Sequence, residues 1–191
     1  MPIVGRFGSL AGLGSLILPG GAFESIATVT VGSGGAASVE FTNIPTTYQH
    51  LQLRGTVRST QGSSTDRIDL WLNNATGTTL WAQHVLRGEG SGAFANAYTS
   101  NDRFYIENSA PANSATASVF SAIVMDLLDY TDTNKNRVLR VFAGYDANGS
   151  GQVEINSGLY RSTSAVSSIQ LDTANGFAQH TRWALYGLRA P

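Results

Sequence analysis

The stretch DANGSGQVE, Asp146 to Glu154, has residue types that could bind a calcium ion. Asp146, Asn148 and Ser150 place side-chain oxygens at alternate positions, and Gly151 follows them. EF-hand loops begin in the same way, with oxygen ligands at alternate positions before a glycine. A tight turn between two β-strands uses the same residue types, because Asn and Gly readily adopt positive φ angles. The stretch therefore indicates either a metal site or a hairpin.

Two features of the stretch favour the hairpin. An EF-hand loop that starts at Asp146 requires a bidentate glutamate at position 157, where this chain has Ser157. The patterns on both sides of the loop are those of strands rather than helices. A metal site of another kind, with Asp146, Asn148 and Glu154 as ligands, remains as an alternative, and no cofactor is expected.

The other residues with catalytic potential form no recognisable motif. His50, His84 and His180 are far apart, each within a strand pattern, and the sequence contains no nucleophile elbow, zinc-protease motif or P-loop. A glycosidase needs two carboxylates, but any β-domain offers as many acidic residues as this chain does. We therefore predict that the protein is not an enzyme, although a carboxylate pair could be drawn from Asp66, Asp69, Glu89, Asp102, Glu107, Asp126 and Asp129.

Four aromatic residues are candidates for stacking on a sugar. Trp71 and Trp81 lie on predicted strands that flank one turn, and Phe94 and Tyr98 lie in residues 88–101, which we interpret as a long surface loop. Aromatic rings on the surface of a sandwich could hold a glycan. The alternative for the two tryptophans is burial against the second face of a sheet, because large aromatic side chains are mostly buried.

The elements that must position these residues are strands. Apolar residues alternate with polar ones from residue 23 onward, and this period predicts about ten short strands. The turn sequences GSGG, NNATG and ANGSG each predict a β-hairpin, and the apolar run TASVFSAIVMDLLDY predicts a central strand. The fold class that follows is all-β, an antiparallel, jelly-roll-like β-sandwich that forms one domain over residues 23–191.

Composition narrows the range of partners. Of the 191 residues, 42% are hydrophobic and only 13% are charged, with a net charge of −1, so no global field attracts nucleic acid or an acidic membrane. The absence of cysteine excludes disulfides and thiol nucleophiles. No apolar run reaches the roughly 18 residues that a membrane span requires.

The N-terminal segment differs from the rest of the chain. Residues 1–22 begin MPIVGRFGSLAGLGSLILPGG and combine apolar residues with glycines, and we predict that they form an extended arm. Fixing a glycine-rich backbone is entropically costly, so the arm must pack on its own domain or on a neighbouring subunit. The residues predicted to make this assembly contact are Ile3, Val4, Phe7, Leu10, Leu13, Leu16, Ile17 and Leu18.

Three segments give the chain a family resemblance. They are ESIATVTVGSGGAASVEFTNIPTTYQHLQLR, YTDTNKNRVLRVFAGYDANGSGQVEINSGLYRSTSAVSSIQL and HTRWALYGLR. Together, over residues 24–189, they resemble a family of small β-sandwich virion proteins of tailed bacteriophages. Members of this family are decoration, tail-fibre or other virion proteins, so the resemblance implies a structural role on a phage particle.

The leading hypothesis is a capsid decoration or cement protein that binds the shell through its arm and the base of the sandwich. Its partners would be other virion proteins, the major capsid protein or tail proteins, and it would form a homo-oligomer, either a trimer or a dimer. Its location would be the virion, after assembly in the bacterial host cytoplasm. The alternative is a tail-associated receptor-binding module that holds a host glycan with Trp71, Trp81, Phe94 or Tyr98. A third hypothesis, a polysaccharide hydrolase, requires two carboxylates within about 10 Å of each other in a cleft.

Overall fold

A computed structural model describes residues 22–189 as twelve strands. Except for Ala22, the predicted arm and its contact residues lie outside the described residues. The strands are β1 (Phe23–Thr30), β2 (Ala36–Phe41), β3 (His50–Val57), β4 (Thr65–Leu72), β5 (Trp81–Glu89), β6 (Gly92–Asn101), β7 (Phe104–Pro111), β8 (Ser121–Leu128), β9 (Arg137–Asp146), β10 (Gly151–Tyr160), β11 (Ile169–Phe177) and β12 (Arg182–Leu188).

The strands form two antiparallel sheets of unequal size. The large sheet has eight strands in the order β1-β12-β3-β8-β9-β10-β5-β6, and the small sheet has four in the order β2-β11-β4-β7. The two sheets pack face to face around an apolar core. The predicted all-β antiparallel sandwich is therefore confirmed, whereas its likeness to a jelly roll stays a prediction.

Only one of the three predicted hairpins is correct. ANGSG joins β9 to β10, which pair directly, with Asp146 opposite Gly151. GSGG instead joins β1 to β2, and NNATG joins β4 to β5, and in both cases the two strands belong to different sheets. Turn residues reverse the chain wherever positive φ is needed, as at Asn73 and Asn74. They do not determine whether the next strand pairs with the previous one or crosses to the opposite sheet.

Residues 88–101 are not the long loop that their composition predicts. Most of them belong to β6 (Gly92–Asn101), which pairs with β5 at the edge of the large sheet. Because the small sheet has only four strands, β6 extends beyond it, and most of the β6 side chains are exposed. Small and polar residues suit a strand with water on both faces. The apolar run at Ser121–Leu128 is the predicted strand β8, fourth in the large sheet.

The core requires close contact at Gly55 on β3. A Cβ atom at this position would lie 2.5 Å from the ring of Trp183, which is fully buried on the neighbouring strand β12. The missing side chain therefore makes room for the indole between the sheets. Leu51 and Leu53 point into the same core from β3, and Gln52 between them faces outward.

Strand β10 departs from the usual arrangement, because its apolar residues face outward. Val153 and Ile155 are 46% and 52% exposed, while Gln152, Glu154 and Asn156 are buried between the sheets. An ordinary sandwich strand buries its apolar side chains and exposes its polar ones. The reversal means that β10 contributes a polar layer to the core and an apolar surface to the outside.

The buried polar layer, to which Gln83 on β5 also belongs, forms hydrogen bonds with the backbone at the free edge of β7. The carbonyl of Tyr105 accepts a bond from Gln83 Nε2 (3.0 Å), and its N–H donates to Gln83 Oε1 (2.9 Å). The N–H of Glu107 donates to Glu154 Oε1 (3.1 Å), and its carbonyl accepts a bond from Gln152 Nε2 (2.8 Å). Side chains from the large sheet thus take the place of a fifth strand beside β7, and the buried backbone groups are satisfied.

Candidate functional site

The most distinctive surface is an exposed apolar row across five strands of the large sheet. The pairing register aligns Val124 on β8, Phe142 on β9, Ile155 on β10, Leu86 on β5 and Ala95 on β6. Phe142 is 56% exposed and Leu86 is 55% exposed. We call this row, together with the exposed Val153 next to Ile155 on β10, the apolar face. A contiguous exposed apolar surface on a folded protein commonly marks a site of interaction.

One side of the apolar face is hollow. A shallow groove of about 580 Å³ lies over β10, β5 and β6 and is lined by His84, Leu86, Ala95, Ala97 and Ile155, among others. The groove exists because the outward residues of β6 are alanines, whereas the outward residue at the corresponding position of β9 is Phe142. The apolar face therefore has a protruding half and a recessed half.

Charged groups border the apolar face and neutralise one another. Arg140 lies 3.4 Å from the carboxylate of Asp126, which also accepts a bond from Gln52 (2.8 Å). Arg54 donates to Gln52 (2.7 Å) and stacks over the ring of Tyr186 (4.9 Å). The border is polar, but its charges are already paired, so they do not oppose an apolar partner.

The outer face of the small sheet has the opposite character. Asp69 on β4 accepts bonds from Arg67 and from Arg103 (3.0 Å), and Arg103 also pairs with Asp102 (2.8 Å). The two guanidinium groups stack on aromatic rings, Arg67 over Tyr105 at 4.3 Å and Arg103 over Trp71 at 5.1 Å. We call this set, with the neighbouring Asp172, the arginine–aspartate network.

Asp172 on β11 lies directly across from Asp69 in the pairing register. Burial raises the pKa of Asp172 to about 6, and the negative charge of Asp69 adds to the increase. A protonated acid beside an ionised carboxylate is the pairing that glycosidases use. Here, however, Arg67 and Arg103 engage both carboxylate oxygens of Asp69, so neither is free to act as a nucleophile or base. The pair is better explained as part of an ion network than as catalytic machinery.

The four predicted sugar-stacking residues do not form one site. Trp71 is only 8% exposed beneath Arg103, and Trp81 is fully buried between the sheets. The two tryptophans flank one turn in sequence, but they lie on β4 and β5, which belong to different sheets. Their burial is the alternative that their size suggested, and neither ring is presented to solvent for a sugar.

Phe94 and Tyr98, in contrast, lie together on β6 in a short ladder of aromatic and charged groups. Phe94 is 50% exposed, and Arg87 stacks over its ring at 4.8 Å. Arg87 lies 3.6 Å from Glu107, which accepts a bond from the Tyr98 hydroxyl. Tyr98 also meets the ring of Tyr105 edge-on, with centroids 5.9 Å apart. Two of the four residues predicted to contact a glycan thus lie on one strand, and Phe94 is the more exposed of the two; the glycan contact itself stays a prediction.

The fold does not bring together the residues of the alternative metal site, because Asp146 and Asn148 are exposed at the turn and Glu154 is buried. Asp146 Oδ1 accepts bonds from the N–H groups of Asn148 (2.7 Å) and Gly149 (3.3 Å), so this carboxylate closes the turn. Glu154 lies inside the sandwich, where desolvation raises its pKa. Within residues 22–189, no group of three or more histidine or acidic side chains could hold a metal ion.

The three histidines are also separated. His50 Nδ1 accepts a bond from the N–H of Asp129 (2.9 Å), and His84 lines the groove of the apolar face. His180 does not lie in a strand as its sequence pattern suggests, but in the turn before β12, with a φ of 72°. The fold brings no two of them into one site.

The apolar face is not among the features that the sequence patterns predict. In VLRVF one alternating set is apolar and the other is apolar except for Arg140, and in QVEIN two apolar residues alternate with three polar ones. Such patterns leave the orientation of a strand open. Taken together, the two strands have apolar residues on both of their faces, and this could have indicated an outer apolar surface.

A scan of the chain against protein-family models finds no match, and a search of curated proteins finds none either. In residues 22–189, no helix is long and apolar enough to cross a membrane.

Proposed function

We propose that the protein is a non-enzymatic structural component of a bacteriophage virion, in the role of a capsid decoration or cement protein. The observation that carries this proposal is the apolar face, with Phe142, Ile155 and Leu86 each more than half exposed on a folded sandwich. A protein whose task is to bind other protein subunits has a use for such a face. The resemblance to phage virion proteins supplies the particle on which these contacts would be made.

In this proposal the N-terminal segment makes the contact with the shell, together with the base of the sandwich. Its apolar residues, from Ile3 to Leu18, are interspersed with glycine and serine, and Arg6 is the only charged residue among them. Burial of a leucine-sized side chain contributes about 1.5–3 kcal/mol, so a few of them suffice for a stable contact. The location that follows is the virion, with the major capsid protein or a tail protein as partner.

Particle association tests the proposal directly. Purified full-length protein would be mixed with phage particles that lack it and then sedimented. The variant Leu13→Asp with Ile17→Asp should stay in the supernatant, because it places two charges in the apolar contact. A matched variant, Thr28→Asp on the exposed edge strand β1, should sediment like the wild type. If the Leu13/Ile17 variant sediments normally, the shell contact is not made by this segment; if the wild type does not sediment, the virion role fails.

The aromatic ladder on β6 favours a second function, binding of a host glycan by a tail-associated module. Its supporting observation is the half-exposed ring of Phe94 beside the Arg87–Glu107 pair, since aromatic faces and charged groups are the two partners that a sugar needs. Phe94→Ala should then abolish binding on a glycan array without unfolding the domain. A Phe23→Ala variant is the control, because Phe23 is equally exposed but lies on β1, at the opposite edge of the large sheet. An array on which the wild type binds no glycan would exclude this function.

A further inference from the structure

We infer that the apolar face is the interface with a second copy of this chain, related by a two-fold axis that runs along β10. This interface goes beyond the contact with the shell, and it does not depend on the particle role. The face comprises the row from Val124 to Ala95 and the neighbouring Val153.

The first argument is the reversal of β10. Gln152, Glu154 and Asn156 are buried, and Val153 and Ile155 are outside, although the opposite orientation would suit an isolated sandwich. The buried polar groups are needed beside β7, as their hydrogen bonds to its backbone show. No such requirement explains why the neighbouring outward positions 153, 155 and 142 are Val, Ile and Phe rather than Thr or Ser. Those residues stabilise the protein only when the face is covered.

The second argument is shape. A two-fold axis along β10 through Ile155 superposes β9 of one copy on β5 of the other, and β8 on β6, because neighbouring strands are evenly spaced by about 4.8 Å. The protruding Phe142 of each copy then lies over the groove that Leu86 and Ala95 line in the other copy. An isologous contact requires a surface that complements itself, and this face has its bulge and its hollow on opposite sides of β10.

The third argument is charge. The same axis places Arg140 of one copy opposite His84 of the other, and Asp126 opposite Ala97. The axis brings no two arginines and no two carboxylates together, and Arg140 keeps Asp126 as its own partner. Two identical surfaces can meet in this way without repulsion between such groups.

The contact area of such a dimer includes the polar border of the apolar face. Five strands at about 4.8 Å and four outward residues along each strand, with Arg140, Ser157 and His84 among the polar positions, give a patch of roughly 24 by 20 Å, on the order of 500 Å² per copy. Two such patches reach about 1,000 Å² in total, the size at which specific interfaces begin. Side-chain relief adds to this area, since the patch includes Phe142 and the groove.

The absence of cysteine allows a direct geometric test. Ile155 lies on the proposed axis, so an Ile155→Cys variant should be linked to its own copy by a short bifunctional maleimide that spans the roughly 10 Å between packed sheets. A direct disulfide is not expected across that gap, because its Cα atoms must approach to about 6 Å. A mixture of Phe142→Cys and Leu86→Cys proteins should give the mixed dimer in higher yield than either alone. Gln170→Cys, on the outer face of the small sheet, is the matched control and should remain unlinked.

A second measurement removes the bulge. The wild type should sediment as a dimer in analytical ultracentrifugation, and Phe142→Ser should weaken dimerisation at least about 100-fold, because the ring is lost from both sides of the axis. The fold of the variant, followed by its circular dichroism, should be unchanged because Phe142 is a surface residue. A monomeric wild type overturns the inference, as does equal cross-linking at Gln170→Cys. If removal of residues 1–21 is what makes Ile155→Cys reactive, the N-terminal segment covers the face instead and the inference is also overturned.

Discussion

The outer faces of the two sheets expose opposite kinds of side chain to solvent. The small sheet presents Asp69, Arg67 and Arg103, whose charges are paired with one another and stacked on aromatic rings. The large sheet presents Phe142 and Ile155, with nothing in the described chain covering them. Both belong to one sandwich with one core, so the fold does not determine the polarity of an outer face. The difference is that the charged groups of one outer face are paired within the chain, whereas the apolar side chains of the other face remain exposed.

Charge is distributed to match this division. Only 13% of the residues are charged, yet the network on the small sheet gathers several of them within hydrogen-bond distance. The central row of the apolar face has none. Four changes, taken from the largest expected effect to the smallest, test whether the two faces differ as described.

The largest effect is expected inside β10, at the polar layer that keeps its apolar side outward. Glu154→Ala should lower the free energy of unfolding by about 3 kcal/mol, because the buried N–H of Glu107 loses its acceptor. Urea unfolding followed by tryptophan fluorescence would measure the loss. Glu154→Gln is the matched control and should cost less than about 1 kcal/mol, since an amide oxygen can still accept the bond. Equal losses in both variants would contradict the role given to this acceptor.

On the small sheet, Asp69→Ala should lower the free energy of unfolding by about 2 kcal/mol. The reason is that Arg67 and Arg103 lose the buried carboxylate that both of them bind. The measurement is thermal unfolding at neutral pH. Glu40→Ala provides the comparison, because Glu40 is an exposed acid on β2 of the same sheet. An Asp69 variant as stable as the Glu40 variant would show that the network contributes nothing.

Asp172→Asn should instead stabilise the protein at pH 7, by about 1 kcal/mol. The pKa of Asp172 is raised from 3.8 to about 6 in the folded protein, so the folded state binds its proton more tightly than the unfolded state. Stability from this group is therefore present below about pH 4 and is lost as the pH rises through 6. Between pH 4 and pH 7, the free energy of unfolding obtained from denaturation curves should decrease less steeply with pH for the variant than for the wild type. A variant less stable than wild type at pH 7 would contradict the shift.

The smallest effect on stability is expected on the apolar face itself. Phe142→Thr should change the free energy of unfolding, measured at concentrations where the chain is monomeric, by less than about 0.5 kcal/mol. It should nevertheless reduce the binding of a hydrophobic dye such as ANS, because it removes the most exposed ring of the face. Leu53→Ala, at a buried position of β3, is the contrast and should cost about 2–5 kcal/mol. A large stability loss at Phe142 would mean that the ring belongs to the core.

The sequence predicts the strands well and the surfaces poorly, for a physical reason. Period-two alternation records that a strand has two unlike faces, and β3, with Leu51 and Leu53 inward, shows how directly this leads to a sandwich. The same alternation in β10 does not say which face is inward, because the polar residues satisfy β7, which precedes β10 by dozens of residues.

The arginine–aspartate network also cannot be predicted from the sequence pattern, because it depends on the pairing of strands that are far apart in the chain. Asp69 and Asp172 are about a hundred positions apart in the chain, and only the β4–β11 register makes them neighbours. Phe94 and Tyr98, in contrast, are close in sequence and on one strand, so their proximity could be predicted even though their strand was taken for a loop. The sequence pattern therefore predicts the features of a single strand, but it does not determine the contacts that depend on which strand pairs with it.

The completed edge of β7 also sets how quickly its amide protons exchange with water. Amides at the rim of a sheet normally exchange during small local fluctuations. The N–H groups of Tyr105 and Glu107 are bonded to side chains rooted in the opposite sheet, so both sheets must separate before deuterium reaches them. These two positions on an edge strand should therefore keep their protons as long as the deepest core amides, while β6 exchanges within each local opening.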